Sequence, residues 1–221
     1  QDYPDIEYIV VDGKSTDKTL SIIEKYRNKI SKIVSEADEG IYFAINKGIA
    51  LATGDIVGIL NSDDFYASKT TISDVVKEFE SKKSDSVYGD LHYVSRNNIQ
   101  KIIRYWKSKP FDPKYFLNGW MPPHPAFFVK RECYEQFGYF NTLFSISADY
   151  ELMLRFLYKH KISSSYIHKV LVKMRTGGIS NATLYSRIKA NREDRLAWKV
   201  NGLKPAPFTL ILKPLSKLRQ F

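Results

Sequence analysis

Cysteine is almost absent from this chain. Cys133 stands alone among 221 residues, which excludes an intramolecular disulfide framework and a cysteine-built zinc site and suits a reducing compartment. The four histidines, His92, His124, His160 and His168, show no metal-ligand spacing. There is no Walker-type glycine loop, and no Ser-His-Asp or Cys-His arrangement has convincing local context. Long hydrophobic runs are missing as well: nothing approaches the roughly 18 apolar residues of a membrane-spanning helix. The start, Gln1-Asp2-Tyr3-Pro4, carries no initiator Met and no signal peptide, and it reads as the middle of something longer.

Acidic residues are scarce in one region only. Residues 152–221 hold 15 Lys or Arg against Glu193 and Asp194, a balance of +13, whereas residues 1–151 balance at −3. A basic arm of this kind suggests an anionic lipid surface, nucleic acid or another polyanion, although a solvated helix surface has the same composition. The length allows one domain, or one domain with an arm. A hydrophobic content of 43% allows a sizeable core.

What is present alternates. Ile6 to Val11 reads as a strand ending at Asp12. Leu20, Ile22, Ile23 and Tyr26 then recur at helical spacing, and Lys32 to Ser35 reads as a second strand. The stripe Ile41, Ala44, Ile45, Gly48, Ile49 and Ala52 predicts a second helix, closed by Thr53-Gly54. A strand over 55–60 follows, then a helix marked by Ile72, Val75, Val76 and Phe79, then a strand over 86–89. This β-α-β-α-β-α-β order predicts an α/β fold, a mostly parallel sheet with helices on both faces. Beyond it, 91–106 reads as a β-hairpin turning at Arg96-Asn97-Asn98. Residues 107–125 hold five of the nine prolines and read as loop. A strand over 126–129, a short helix, a helix from near Ala148, a strand over 170–174 and a long basic helix from about Thr183 to Val200 complete the chain. No repeat or low-complexity tract interrupts it.

Ligands of such sheets bind beyond the C-terminal ends of the strands, and three carboxylates, Asp12, Asp63 and Asp64, fall at such ends. In Asn61-Ser62-Asp63-Asp64 two adjacent like charges repel, and a hard divalent cation held through oxygen would relieve them. The same tetrapeptide also suits a plain turn with Asp64 capping the next helix. Asp12 could accept hydrogen bonds from a base or ribose, or cap the helix that follows Ser15-Thr16-Asp17. Asp149 sits at a helix N-terminus, as a cap or as a general base. His124 is held between prolines in Met121-Pro122-Pro123-His124-Pro125.

These pieces together resemble the family-2 glycosyltransferases of GT-A fold. The resemblance runs through "YPDIEYIVVDGKSTDKT", "SEADEGIYFAINKGIALATGD", "IVGILNSDDFY", "HPAFFVKRECYEQFGYFNTLFSISADYELMLRF" and "GGIS", over roughly residues 2–181. It is densest with bacterial enzymes of surface-polysaccharide and O-antigen assembly. It implies a GT-A-like domain over 1–180, lacking its first strand and helix, followed by a basic helical tail over 181–221. It implies that Asp12 contacts the nucleotide base and that Asp63 is the metal-binding member of a D-x-D element. Asn61 stands there in place of the first Asp, as a neutral oxygen ligand or ribose contact. Asp64 would orient the donor site or cap the helix, and Asp149 stands where the family places its base. His124 would line the acceptor side, and Arg175 with Gly177-Gly178 would reach the diphosphate.

The implied activity is metal-assisted, inverting transfer of a sugar from a nucleotide-diphosphate donor, a UDP-sugar above all, with Mn²⁺ or Mg²⁺. The implied acceptor is a glycan or lipid-linked glycan. The implied location is the cytoplasm, with the basic tail against the inner face of an anionic plasma membrane through Arg187, Lys189, Arg192, Arg195, Lys199 and the run from Leu210 to Arg219. Nucleic acid is not an expected partner. Two other readings stay open: a degenerate, non-catalytic nucleotide- or glycan-binding domain, and a sugar-phosphate nucleotidyltransferase.

Overall fold

The computed structural model describes residues 1–177, 184–210 and 213. Strand β1 (Ile9–Asp12), helix α1 (Thr19–Lys25), strand β2 (Lys32–Ser35) and helix α2 (Ile41–Leu51) come first, then β3 (Ile56–Gly58), the two-residue β4 (Phe65–Tyr66) and α3 (Thr71–Lys82). A hairpin of β5 (Ser86–Val94) and β6 (Ile102–Trp106) follows, with a single turn, α4 (Lys114–Leu117), inside the proline-rich connection. The chain continues through β7 (Phe127–Lys130), α5 (Arg131–Phe137), α6 (Ala148–Met153), β8 (Ser164–Arg175) and α7 (Leu184–Val200). Helix α6 runs on as a π-helical stretch over Leu154–Lys159.

The α/β class and the alternating order stand, and the hairpin stands with them. The expectation of a mostly parallel sheet is corrected: the sheet is mixed. β1 and β2 pair in parallel as a two-stranded sheet, Asp12 opposite Ser35. The other six strands form a second sheet in the order β3-β7-β5-β8-β4, with β6 beside β5. Within it only β5 and β8 run parallel; β7 runs antiparallel to both β3 and β5. The cause lies in the connections, since a hairpin forces β6 to reverse and the proline-rich segment delivers β7 from the opposite end. Two strands also outrun expectation. β5 continues without a break from 86 to 94, and β8 begins at Ser164, in a serine run that lacks the β-branched signal of a strand.

Alternation along the strands fills both faces of the large sheet. On β7, Phe127 and Val129 join one buried cluster with Tyr88, Tyr150 and Trp198, while Phe128 joins another with Val75, Phe79, Leu91 and Leu171. Helix α3 covers the second cluster through Val75 and Phe79, one turn apart. Gly89 is required where β5 crosses β8: a Cβ there would come within 2.4 Å of the Leu171 side chain. The ladder shifts register on either side of Asp90.

Candidate active site

Asp12 closes β1 and is nearly buried, 6% exposed. Its carboxylate accepts the Ser15 N–H (3.0 Å), the Ser15 hydroxyl (2.5 Å) and, across the ladder, the Ser35 hydroxyl (2.7 Å). Hydrogen bonds from Ser15 and Ser35 hold its carboxyl below the usual range despite burial. It thus organises the loop after β1. Over that loop lies a second carboxylate that the sequence reading missed: a Cβ on Gly13 would sit 2.9 Å from Asp38 Oδ2, and Asp38 itself accepts the Gly40 N–H at 2.9 Å.

The Asn61–Asp64 segment is a turn beyond β3. The Asp64 N–H donates to the Asn61 carbonyl at 3.0 Å, and the Asn61 side-chain amide donates to Asp64 Oδ2 at 3.0 Å. Among the described residues Asp64 Oδ1 is buried with no hydrogen-bond partner. Burial pushes the Asp64 carboxyl up to about 6, with the neighbouring Asp63 charge adding to the rise and Asn61 opposing it. Arg175, at the end of β8, donates from Nη1 to the Asp63 carbonyl at 2.6 Å and lies over the Phe65 ring at 5.1 Å. It ties the β8 end to the acidic turn. Of the adjoining Gly177-Gly178 turn, Gly177 takes φ +107°, and Gly178 lies outside the described residues.

Asp149 occupies the first turn of α6, half-buried, with Oδ1 accepting the Tyr150 N–H at 2.8 Å. Its charge reaches three aromatic groups. Burial raises the Tyr42 hydroxyl, and Asp149 raises it further. Burial lowers His124, with Asp149 opposing, so a neutral imidazole lies within reach of this carboxylate. Burial raises Tyr93 on β5, Arg104 lowers it, and both Asp149 and Asp64 raise it. Tyr93 therefore lies within the field of both carboxylates, the one at the end of β3 and the one on α6. Arg104, opposite Tyr93 in the hairpin, spreads its guanidinium over that ring at 4.7 Å.

Helix α2 braces this arrangement. The Tyr42 hydroxyl donates to the Ile146 carbonyl at 2.8 Å. Asn46 and Phe140 exchange a reciprocal pair of bonds, both at 2.9 Å. His124 packs edge-on against Phe140, 5.4 Å between ring centres. The structure thus gathers Asn61, Asp63, Asp64 and Arg175 at one turn and sets Asp149 near Tyr42 and His124, while Asp12 sits on the small sheet. Asn46 and Tyr93 escaped the sequence reading. Asn46 lies inside a segment that carried the family resemblance, the one available signal.

Among the described residues no three His, Cys, Asp or Glu side chains converge as a metal cluster. The orphaned Asp64 oxygen beside Asp63 nevertheless fits a cation whose shell is completed by ligand oxygens. No described helix is long and apolar enough to cross a membrane. Leu210 and Lys213 turn inward: Leu210 is buried, and Lys213 pairs with Asp194 at 2.6 Å and lies over the Tyr150 ring. The rest of the expected apolar and basic run, from Ile211 to Arg219, lies outside the described residues, as does the Arg187 side chain.

The family model for glycosyl transferase family 2 matches residues 1–138. A PGL/p-HBAD biosynthesis glycosyltransferase of Mycobacterium bovis is 30% identical over 182 residues, 80% of this chain and 68% of that protein. The poly(ribitol-phosphate) beta-N-acetylglucosaminyltransferase TarS of Staphylococcus aureus is 39% identical over 90 residues, 38% of this chain and 16% of that protein. The crystal structure of TarS residues 1–349 in complex with UDP-GlcNAc superposes with a TM-score of 0.66 at 19% identity, covering 91% of this chain and 58% of that one. That likeness establishes the GT-A-type fold.

Proposed function

Because this chain belongs to glycosyl transferase family 2, we propose that it moves a sugar, with inversion, from a nucleoside-diphosphate donor to a hydroxyl of a glycan or lipid-linked glycan in surface-polysaccharide assembly. The observation that carries the reading is the turn after β3, where a buried Asp64 oxygen is left without a hydrogen-bond partner among the described residues, beside Asp63, and Arg175 ties the end of β8 to the turn. In this reading that turn faces the leaving diphosphate, and Asp149 takes the proton of the acceptor hydroxyl. A uridine donor is favoured by the UDP-GlcNAc held by TarS.

In this reading the acceptor oxygen attacks the anomeric carbon from the face opposite the diphosphate. The new C–O bond forms as the old one breaks, its electron pair leaves on the diphosphate, and the acceptor proton passes to Asp149. His124, neutral and packed on Phe140, lines the acceptor side. Asp12, ionised and fixed by Ser15 and Ser35, receives the base or ribose. Asn61, Asp63 and Asp64 face the diphosphate, with Asp63 and the free oxygen of Asp64 holding Mn²⁺ or Mg²⁺. When bound, that ion offsets the charge that develops on the departing diphosphate. Arg175 holds the acidic turn in place.

Helix α7 packs on α6. The outer face of α7 interleaves the exposed Ile188, Leu196 and Val200 with Arg192, Arg195 and Lys199, a pattern that suits the headgroup zone of an anionic membrane on the cytoplasmic side. Sedimentation with phosphatidylglycerol vesicles at low salt tests this attachment; no co-sedimentation would remove it. The transfer itself is tested by offering UDP-sugars with glycan and glycolipid acceptors, measuring UDP release and reading the anomeric configuration of the product. Metal-dependent release with an inverted product supports the proposal. Nucleotide binding without transfer would favour the non-catalytic reading, which Asn61 in place of the first Asp also favours.

A further inference from the structure

The basic C-terminal segment carries only two acidic residues, and both are buried, Glu193 at 8% exposure and Asp194 at 5%. Asp194 pairs with Lys213. Glu193 is held by neutral donors instead. Its Oε1 accepts the Ser145 N–H (3.2 Å) and the Ser145 hydroxyl (2.8 Å), and its Oε2 accepts the Ile146 and Ser147 N–H groups, both at 2.8 Å. Burial works to raise its carboxyl, but the bonds from Ser147, Ile146 and Ser145 outweigh it and hold the group ionised.

The three N–H donors immediately precede α6, the helix that presents Asp149. They belong to the turn that leads into the helix, with Ser147 as its N-cap, and the Ser147 side chain makes no cap bond of its own. A carboxylate brought from α7, 46 residues further along the chain from Ser147, gathers all three donors and fixes that turn. Further contacts hold α7 in register: the Trp198 indole donates to the Tyr150 hydroxyl at 2.9 Å, and the Asn201 amide to Glu151 at 2.9 Å. On the other side of the same loop, Tyr42 grips the Ile146 carbonyl. Residues 145–147 are therefore clamped at both ends of their peptide dipoles.

We propose that Glu193 is a positioning residue: it fixes the turn that aims Asp149 at the acceptor hydroxyl, so that the arm is part of the catalytic apparatus. This rests on the reading of Asp149 as the base. Displacement of a base by about 1 Å can cost on the order of 100-fold in rate. Glu193→Gln keeps the size of the side chain but turns an amide N–H₂ toward N–H donors. The expected result is a kcat about 10- to 100-fold lower, with donor KM changed by less than about threefold.

The closing experiment places Glu193→Gln in wild-type and Asp149→Asn backgrounds and follows amide hydrogen exchange of a peptide spanning 145–153. If Glu193 acts through Asp149, its substitution costs nothing further once Asp149→Asn is present, and exchange at 145–153 quickens at least about tenfold. Multiplying losses, a matching rise in donor KM, or unchanged exchange would overturn the proposal. A wild-type rate in Asp149→Asn would instead sink the base assignment, and the exchange result would still decide whether Glu193 orders the turn.

Discussion

The two sheets of this protein are built to different standards. In the large sheet, Val87, Tyr88, Leu91 and Val94 on β5 are fully buried. In the small one, three of the four residues of β1 are only half-buried, α1 buries no residue at all and α2 buries only Ile49. Ile22, Tyr26 and Tyr8 are more than half exposed. The small sheet carries Asp12, whose place is set by hydrogen bonds from serines. The large sheet and the helices on it carry Asp64 and Asp149, held by hydrogen bonds beside a fully buried core. The contrast assigns rigidity to the half that would hold the reacting atoms and latitude to the half that would receive the nucleotide base.

The largest effect expected is on the rigid side. Asp149→Asn should lower the transfer rate about 10²- to 10⁴-fold, the usual worth of a general base, with little change in nucleotide affinity. Stability should divide along the same line. Leu91→Ala, in a fully buried site, should cost about 2–5 kcal/mol in urea denaturation, and Ile22→Ala, 52% exposed, about 0.5 kcal/mol or less. Equal losses would abolish the contrast between the sheets.

Asp64 sharpens it through pH. Its folded pKa of about 6 lies above the ordinary 3.8, so the native state binds the proton more tightly than the unfolded chain does. The stability tied to this group is therefore greatest below about pH 4 and is lost as pH rises to about 6. Asp64→Asn should remove that slope and raise stability at pH 7 by up to about 3 kcal/mol, at the expense of any metal binding. Chemical denaturation at pH 4, 5, 6 and 7 reads both effects. Ser35→Ala, which removes one of three bonds to Asp12, should cost about 1 kcal/mol.

Much of this was legible in the chain. The Ile72, Val75, Val76 and Phe79 spacing marked α3, Lys32 to Ser35 marked β2 at its observed bounds, and the acidic turn after β3 stood out because turn formers follow an apolar strand. Strand direction was not legible, because β7 owes its orientation to the route of a proline-rich connection. β4 is two residues long and exists only because β8 extends to meet it. The braces of the site were hidden for a related reason. Tyr42 meets Ile146 across 104 residues and Asn46 meets Phe140 across 94, separations that no local pattern encodes. Glu193 was visible only as one of two adjacent acids in a basic segment.

The central claim is that the acidic turn after β3 is a metal-dependent donor site. It is tested most directly by the thermal shift of this chain with UDP, GDP and dTDP, each with and without Mn²⁺, beside Asp63→Ala. The account expects Tm to rise with one nucleotide, only when metal is present, and the rise to vanish in Asp63→Ala. A rise that ignores metal and survives the substitution would contradict it.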